Sequence, residues 1–520
     1  MIAIGGGLLG VGLIGGCRGS LEQVQVVLER HNRAFRALPE EEQAVLESIG
    51  VPVSADAVVS LLPTDELSLE QAREIAVRAN PDIHAAFARL EASRARIAEA
   101  RSRYYPTVSL THNSTRTFQT PANRNRLATA LQPRQPVPTD IGDPAFPVTT
   151  ILNALAAPLL GAGSPKGNTN SFSEHSSALT ASWVLFDGFA REARILGAKA
   201  LYRASSASLA DLRRLIVQAV DAAYYQVQLA EEQMRIAVAD ERFSREQFEE
   251  TEKLRQAGRS TQADVDNFRV RMLDAQTSLA EASGLRETGR VVLAELLGIP
   301  DVTLPETLTL ADLMPESEEQ MTAPTASEWI QRALHARPDL VELTHFVENA
   351  RQQLRVARGL YLPSISFSGS WGYDSSSSLR YTVQDQSSAA ALEVRWDLFT
   401  GGLRKSRVSV ARSLLAESEA QLGRLRLAVQ SAVRQAIIDV VNAQQRILLQ
   451  RESLKTAMEN RRVVQSGYLA GKETLNRLNE AQRDYVTADA NLVLARINLR
   501  QAWSDLSAAV AAHAGGAGGG

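Results

Sequence analysis

The chain contains the same unit twice, and this duplication limits the folds open to the sequence more than any other feature does. The sequence Asn-Pro-Asp-Ile at residues 80–83 recurs as Arg-Pro-Asp-Leu at 337–340, which lies 257 positions later. A second pair has the same offset, because residues 104–110 are similar to residues 361–367. The chain therefore has two parts that begin in the same way.

The later parts of the two units are also similar, but they lie 213 positions apart. Trp-Val-Leu-Phe-Asp-Gly at 183–188 is similar to Trp-Asp-Leu-Phe-Thr-Gly at 396–401. The pair Ala-Gly at 257–258 recurs at 470–471. Two constant offsets indicate an aligned duplication in which the first unit carries an insertion of 44 residues.

Short segments of each unit alternate apolar with polar residues, which is the pattern of a β-strand with one apolar face. The second unit predicts strands at 363–373 and 389–399, and the first unit shows the same alternation around Val108 and at residues 179–185. Each run is about 9–11 residues long, as in a tilted membrane strand. We therefore predict membrane strands, and a soluble sheet with one wet face is the alternative.

The two sets of residues on the last strands differ in chemistry. Trp371 and Trp396 belong to the apolar set and are predicted to face lipid. The polar set of the last strand is predicted to face the lumen of a pore and consists of Glu393, Arg395 and Asp397.

Each unit ends in long helical stretches. Residues 190–257 and 403–470 contain no Pro, and each would extend for about 100 Å as a helix. Further helices are predicted at 262–297 and 475–511. Two adjacent apolar stripes on the first long stretch favour a helix with neighbours on both sides, as in a ring. The stripes consist of Leu209, Ile216, Ala223, Ala230 and Ala237, and of Val220, Val227 and Met234. The alternative is a long periplasmic coiled coil that acts as a structural scaffold without a pore.

Four strands per chain cannot close a membrane barrel, and an open strand edge cannot face lipid. Three copies would supply twelve strands, which is an even number compatible with a closed pore. We therefore predict a mixed α and β protein that forms a homotrimer. Its long antiparallel α-helical barrel would be continuous with a twelve-stranded transmembrane β-barrel and would project into the periplasm.

The N-terminus is predicted to be an export signal of the lipid-anchored kind. Residues 2–16 are apolar or Gly and too few to span a bilayer, as in the apolar region of a signal peptide. They end at Cys17, the only Cys, in a Leu-Ile-Gly-Gly-Cys sequence that resembles a bacterial lipobox. Cleavage would remove residues 1–16, and acylation with palmitate would anchor a segment at 17–66. No Lys or Arg precedes Cys17, and an ordinary signal peptide with a chance Cys is the alternative.

Composition and motifs argue against several other functions. A net charge of −3 and a pI near 6.3 argue against a general nucleic-acid binder. The seven His residues show no metal-ligand spacing, and no nucleotide-binding or nucleophile motif carries an enzyme assignment. We therefore predict no enzymatic activity, no cofactor and no metal site.

These residues and their order resemble the TolC family of outer-membrane channels, which serve multidrug efflux pumps and type I secretion. The resemblance covers roughly residues 67–511 and rests on the duplication, the strand openings, the Phe-x-Gly strand ends and the turns after the long helices. It implies a trimer, a periplasmic adaptor protein and an inner-membrane pump of the RND or ABC type as partners, and contact with outer-membrane lipid. Drugs, small molecules, metals and secreted proteins would need the same passive conduit, so the cargo is not predicted.

The resemblance also divides the chain into parts. The first repeat would comprise residues 67–298, a connector at 299–326 would lie at the equator of the tunnel, and the second repeat would comprise 327–511. The Pro-rich residues 115–176 are predicted to form a long extracellular loop, and residues 512–520 a flexible Gly and Ala tail.

In the family, the turns that join the helices contact the hairpin tips of the adaptor. The corresponding residues here are Gly258, Arg259, Ser260, Thr261, Gly471, Lys472 and Thr474. Each Gly would supply the left-handed conformation that ends a helix, and Ser260 and Thr474 would cap the following helix. The alternative is that these residues are helix caps and nothing more.

The family commonly has acidic residues just after the second turn, where three protomers narrow the tunnel. The matching positions here are Arg477 and Glu480, and Arg477 departs from the usual Asp. Our hypothesis is that Arg477 pairs with Glu473, Glu480 or Asp484 of a neighbour and holds a periplasmic gate closed. The alternative is a solvated charge on a helix surface.

Overall fold

The computed structural model describes residues 61–63, 65–118, 171–375 and 381–511. The predicted signal sequence with Cys17, residues 119–170 of the predicted loop and the C-terminal tail lie outside the described residues. Within the described ranges, none of the helices is both long and apolar enough to cross a bilayer.

The chain divides into two compact units, which we call the helical unit and the sheet unit. The helical unit comprises Met1–Arg96, Ala198–Ala350 and Leu415–Gly520. The sheet unit comprises Ile97–Gly197 and Arg351–Leu414.

The helices follow the same order in the two repeats. Those of the first repeat are α1 (Leu69–Ala79), α2 (Pro81–Ser102), α3 (Ala190–Gln256) and α4 (Gln262–Leu296). Those of the second repeat are α5 (Ala326–Ala336), α6 (Pro338–Gly359), α7 (Leu403–Leu469) and α8 (Leu475–Val510). Helices α3 and α7 each have 67 residues, which corresponds to about 100 Å. Two short parallel strands, β1 (Glu66–Leu67) and β4 (Thr309–Leu310), pair with each other.

The buried residues of the helical unit follow the offsets found in the sequence. Val220 and Val227 of α3 are fully buried, and so are their equivalents Val433 and Val440 of α7. The buried members of the two predicted stripes on α3 are Leu209, Ile216, Val220, Ala223, Val227 and Ala230. Each repeat therefore buries apolar side chains from equivalent positions.

The residue before the Pro of each repeat satisfies the end of the last helix of that repeat. Asn80 donates its Nδ2 to the carbonyl of Leu296, and Arg337 donates its Nη1 to the carbonyl of Ala509, each at 3.0 Å. The last four carbonyls of a helix have no partner within the helix. The Asn-Pro-Asp and Arg-Pro-Asp sequences therefore close the two repeats in the same way.

The chain leaves α4 and α8 through equivalent left-handed positions. Gly298 follows α4 with φ +75°, and Ala511 follows α8 with φ +59°. A Cβ at Gly298 would lie 2.6 Å from the carbonyl oxygen of Ala79. The first repeat therefore needs Gly at this position, whereas the second repeat accepts a strained Ala.

Exchanging these two residue types is expected to have opposite effects on stability. Gly298→Ala should lower the free energy of unfolding by about 2 kcal/mol, because backbone strain adds to the collision with the Ala79 carbonyl. Ala511→Gly should raise it by about 0.5–1 kcal/mol, because it relieves the left-handed strain. Urea unfolding of the purified variants measures both changes, and effects of the same sign would contradict the assignment.

Tyr224 of α3 joins the small parallel sheet to the helices. Its hydroxyl donates to the carbonyl of Leu67 at 2.9 Å and accepts the backbone N–H of Ala311 at 3.2 Å. The side chain is buried, and burial raises the pKa of Tyr224 to about 12. Ionisation of this phenol therefore opposes the folded state.

The stability of the helical unit is expected to fall at alkaline pH. The pKa of Tyr224 rises from 10.0 to about 12 on folding. The neutral phenol therefore contributes fully to the free energy of unfolding below pH 10, and this contribution is lost as the pH rises from 10 to about 12. The loss should amount to about 2 kcal/mol, and Tyr224→Phe should lack this part of the pH dependence. Unfolding curves on either side of pH 10 measure it. An equal alkaline decrease in both proteins would rule out Tyr224 as the source.

The sheet unit contains a four-stranded antiparallel sheet in the order β2-β3-β5-β6. Its strands are β2 (Thr107–Phe118), β3 (Ser171–Phe186), β5 (Ser364–Ser375) and β6 (Gln386–Arg395). The register of β3 against β5 shifts between Val184 and Phe186. In the part of the chain that the structure describes, β2 and β6 are each paired on one side only.

The predicted loop at 115–176 was too long at both ends, because the flanking strands extend into it. β2 continues to Phe118 and β3 begins at Ser171, and these two residues pair with each other. Polar side chains link the strands at the margins of the predicted loop, since Ser114 Oγ, just before it, and His175 Nδ1, within it, share a hydrogen bond of 2.7 Å. Polarity of the sequence therefore did not mark the end of the strands.

The predicted strand at 389–399 was wrong at its C-terminal end, because β6 stops at Arg395. Beyond it, the Trp396 indole donates to the carbonyl of Tyr361 at 3.1 Å. The Arg404 guanidinium donates to the carbonyl of Leu398 at 2.9 Å. These side-chain bonds take the place of the strand ladder, so Asp397 is not a strand residue.

Candidate functional site

One face of the four-stranded sheet is apolar. The register pairs Trp371 with Leu179, and it pairs Phe367 with Trp183 on one side and with Leu392 on the other. All five side chains are exposed to solvent in the isolated chain. Large apolar side chains on one exposed sheet face need an apolar medium or a partner to cover them.

The opposite face of the sheet is lined by hydroxyl groups. Thr107 and Ser182 share a hydrogen bond of 2.6 Å between their hydroxyls, and Ser109 and Thr180 share one of 2.7 Å. Further hydroxyl side chains on this face belong to Thr111, Ser364, Ser366, Ser368 and Ser370. This face therefore suits contact with water.

Two of the three residues predicted to face the lumen lie on this hydroxyl face. Glu393 pairs with Ser366, and Arg395 pairs with Ser364. Asp397 follows the end of the strand, where its carboxylate lies 3.2 Å from the Arg395 guanidinium. The hydroxyl face thus ends in one acidic and one basic side chain.

An aromatic and basic cluster lies where β3 leads into α3. The Trp183 indole donates to the carbonyl of Tyr104 at 2.8 Å, and the Arg191 guanidinium lies 4.7 Å from the centroid of the Tyr104 ring. The second repeat has the equivalent contacts, which involve Trp396 with Tyr361 and Arg404 with Tyr361. Sequence reasoning missed the two Arg residues, although both stand 213 positions apart like the Trp residues.

The two turns between the long and short helices have the same backbone conformation. Gly258 has φ +70° and Gly471 has φ +69°. A Cβ at either position would meet nothing within 4 Å, so the left-handed backbone alone requires Gly there. Arg259 and Lys472, the next residues, are exposed.

Thr261 caps α4, so the prediction that Ser260 would do so was wrong. The Asp264 N–H donates to Thr261 Oγ1 at 3.2 Å, and the Thr261 N–H donates to the Asp264 carboxylate at 3.0 Å. That backbone bond holds the pKa of Asp264 below its ordinary value. Thr474, which lies at the equivalent position, accepts the Arg477 N–H and caps α8 as predicted.

Arg477 occupies the position in α8 that Asp264 occupies in α4. Its Nε lies 3.6 Å from the Glu473 carboxylate, and the two side chains are 65% and 34% exposed. The structure therefore pairs Arg477 with Glu473 of its own chain. Glu480 and Asp484, the other predicted gate residues, are exposed on α8.

A cation between two aromatic rings links three helices near these turns, and sequence reasoning missed it. The Arg461 guanidinium of α7 lies 4.4 Å from the Tyr485 ring centroid of α8 and 5.6 Å from that of Phe243 on α3. Such contacts contribute about 0.5–1 kcal/mol at exposed sites. Arg461 thus connects α7 and α8, the two helices that flank the second turn, to α3.

No group of three or more His, Cys, Asp or Glu residues that could hold a metal ion occurs among the described residues.

Alternation of one apolar and one polar face along strands of about ten residues is the pattern of outer-membrane β-strands. Residues 73–299 and 329–512 match the family described as outer membrane efflux protein. The chain belongs to this family.

Curated relatives of the chain include proteins named for secretion. It is 26% identical over 438 residues to Protein CyaE of Bordetella pertussis, which covers 84% of this chain and 82% of that protein. It is 25% identical over 299 residues to the alkaline protease secretion protein AprF of Pseudomonas aeruginosa. That match covers 54% of this chain and 60% of AprF.

A solved structure shows the same fold. The outer membrane protein VceC of Vibrio cholerae superimposes with a TM-score of 0.66 at 16% sequence identity. The match covers 85% of this chain and 95% of VceC. Family membership confirms the predicted function as an outer-membrane export channel, and the scaffold without a pore has no support.

Proposed function

We propose that three copies of the chain form the exit duct of a tripartite export system. The observation that carries the proposal is the four-stranded sheet, which has an apolar face, a hydroxyl face and two edges, β2 and β6, that are unpaired within the described chain. An open edge is not tolerated in lipid. Pairing β2 of one copy with β6 of the next removes every edge and gives twelve strands around a hydroxyl-lined lumen.

The oligomeric state tests this proposal. The purified full-length protein in a neutral detergent should have the native mass of three chains plus bound lipid and detergent. A monomer or dimer that still inserts into membranes would leave the strand edges unpaired and would overturn the twelve-stranded arrangement.

The helical parts of the three copies would form the periplasmic tunnel. The two turns at Gly258 and Gly471 would present exposed Arg259 and Lys472 to a periplasmic adaptor, which would join the duct to an inner-membrane pump. Residues 299–326 would form the equatorial connector. Acylation of Cys17 after removal of residues 1–16 would add a lipid anchor to the barrel.

The duct would be passive. Its lumenal face would be hydroxyl-lined, with one acidic and one basic side chain on β6. Secreted proteins, drugs, small molecules and metal ions remain candidate cargoes, and the pump rather than the duct would select among them.

Arg477 is proposed to restrain the periplasmic gate. Arg477→Glu is expected to raise single-channel conductance and sensitivity to large antibiotics, because the new carboxylate would face Glu473, Glu480 and Asp484. The ion pair being replaced is largely exposed and contributes only about 0–1 kcal/mol, so threefold repetition would be needed to hold a gate.

The matched variant for this test is Arg477→Ala, which removes the charge without adding repulsion. Arg477→Glu also creates a Thr-x-x-Glu capping box with Thr474, which would stabilise the start of α8, so a rise in conductance would have to come from charge repulsion and not from a weakened cap. Conductance should therefore be compared for both variants at low and high salt. Unchanged conductance with intact trimers would reduce Arg477 to a solvated helix charge.

A further inference from the structure

Three basic residues lie on two neighbouring strands at one end of the apolar sheet face. His112 and Arg116 lie on β2 with Ser114 between them on the same face, and Ser114 pairs with His175 of β3. Alternate residues of a strand are about 7 Å apart and paired residues about 5 Å. The three basic residues therefore surround Ser114. This end of the sheet bears the connections between strands, on the side away from the α2 and α3 junctions.

Hydrogen bonds across the strands hold the two imidazoles in place. His112 Nδ1 and Ser177 Oγ are 2.8 Å apart, and His175 Nδ1 and Ser114 Oγ are 2.7 Å apart. The Arg116 guanidinium lies 5.2 Å from the Phe118 ring centroid. His112 and Arg116 are exposed, so this basic cluster is presented to the surroundings of the sheet.

Acidic side chains do not accompany the basic cluster on this face. The acidic residues of the four described strands are Glu174, Asp374 and Glu393, and the register puts all three on the opposite face. The face that carries the cluster is therefore basic and apolar in the described strands, although the whole chain has a net charge of −3.

The cluster continues directly into the apolar surface. Leu110 precedes His112 on the same face and pairs with Leu179, which in turn pairs with Trp371. Tyr373 lies beside this row, with its ring centroid 5.6 Å from that of Tyr381. Apolar side chains, then aromatic rings, then basic groups is the order expected where a membrane protein passes from acyl chains into headgroups.

We propose that the cluster of His112, Arg116 and His175 binds the phosphate of a phosphorylated lipid headgroup in the outer leaflet, with the acyl chains lying along Leu110 and Leu179. This proposal rests on the outer-membrane duct proposed above. Arg forms charge-assisted, forked hydrogen bonds with phosphate oxygens, and the imidazoles add further donors. A free phosphate ion would gain nothing from the adjoining apolar row, so the geometry favours a lipid.

The test is binding of diphosphorylated lipid A to the full-length protein in neutral detergent, followed by native mass spectrometry. Replacing His112 and His175 by Asn together with Arg116→Gln should weaken binding about tenfold or more, because charge-assisted hydrogen bonds are lost. Arg395→Gln is the matched control, since it removes the same charge from the opposite face of the same sheet. Arg116→Lys keeps the charge but loses the forked donors, so its binding should lie between that of the wild type and that of the triple variant.

Equal binding by the triple variant and the wild type would overturn the proposal, and so would an equal loss in Arg395→Gln. Equal binding of dephosphorylated lipid A, or displacement of lipid A by millimolar inorganic phosphate, would also overturn it. Conductance measured on the same preparations separates the two claims. Channels with unaltered lipid binding in the variants refute the headgroup site alone, whereas protein that never conducts refutes the duct.

Discussion

Asp221→Ala is expected to lower the free energy of unfolding by about 3–5 kcal/mol, because it breaks a buried ion pair and leaves the partner charge behind. Asp221 of α3 is 1% exposed and accepts two hydrogen bonds of 2.6 Å from Arg73 of α1. The Ser504 hydroxyl of α8 donates to the same carboxylate. One side chain thus joins elements from both repeats.

Two control variants make this result specific. Glu74→Ala breaks the exposed pair with Arg78 on the same helix α1 and should cost only about 0–1 kcal/mol. Arg73→Met combined with Asp221→Leu replaces both charges by apolar groups and should cost less than Asp221→Ala alone. Denaturant unfolding of the four proteins measures these differences. A cost near zero for Asp221→Ala would mean that water reaches Arg73 in the assembled protein.

Trp371→Arg is expected to destabilise the membrane-embedded protein, because its side chain lies on the face assigned to lipid; the cost of such a charge rises from about 0–1 kcal/mol near the headgroups to about 2–4 kcal/mol at the bilayer midplane. Ser370→Arg is a closely matched control, since Ser370 is adjacent in sequence and pairs with Thr180 on the hydroxyl face. The measurement is the fraction of each variant recovered as folded trimer from outer membranes. Ser370→Arg should assemble, because its charge would point into water.

Glu393→Lys belongs to the same comparison and should assemble while changing the ion conductance, since Glu393 lies on the hydroxyl face. If Trp371→Arg assembles normally and Glu393→Lys prevents assembly, the two faces of the sheet are assigned backwards.

The features that the sequence predicted well are those that repeat along the chain. Buried positions of α3 such as Val220 and Val227 recur at heptad spacing and again in α7, so period and duplication support the same assignment. The alternation that puts Trp371 and Ser370 on opposite faces of the sheet likewise has a period of two residues, which is visible in the sequence itself.

Features that depend on one particular side-chain contact were not predicted. Whether Ser260 or Thr261 caps α4 depends on which hydroxyl meets the Asp264 N–H, and composition gives no preference between them. Alignment of the two turns does, because Thr261 and Thr474 both lie three residues after their Gly. The end of β6 at Arg395 depends on Arg404, which comes from the following helix and competes for the Leu398 carbonyl.

The sequence also did not predict the role of the Asn-Pro-Asp and Arg-Pro-Asp motifs. Each motif recurs in the sequence, but its partner carbonyl at Leu296 or Ala509 lies more than a hundred residues away. Only the folded chain brings the two together. The matching offsets of motif and partner show that the duplication preserved a tertiary contact as well as a pattern.

The most direct measurement of the central claim is electrical recording from the purified full-length protein in planar lipid bilayers. Three copies that close a twelve-stranded barrel with a hydroxyl-lined lumen should produce discrete, uniform current steps. The steps should grow in Arg477→Glu, because the new carboxylate would repel Glu473, Glu480 and Asp484 near the second turn. Insertion of folded trimers without any current steps, in the wild type and in Arg477→Glu alike, would contradict the assignment of this chain as a conducting duct.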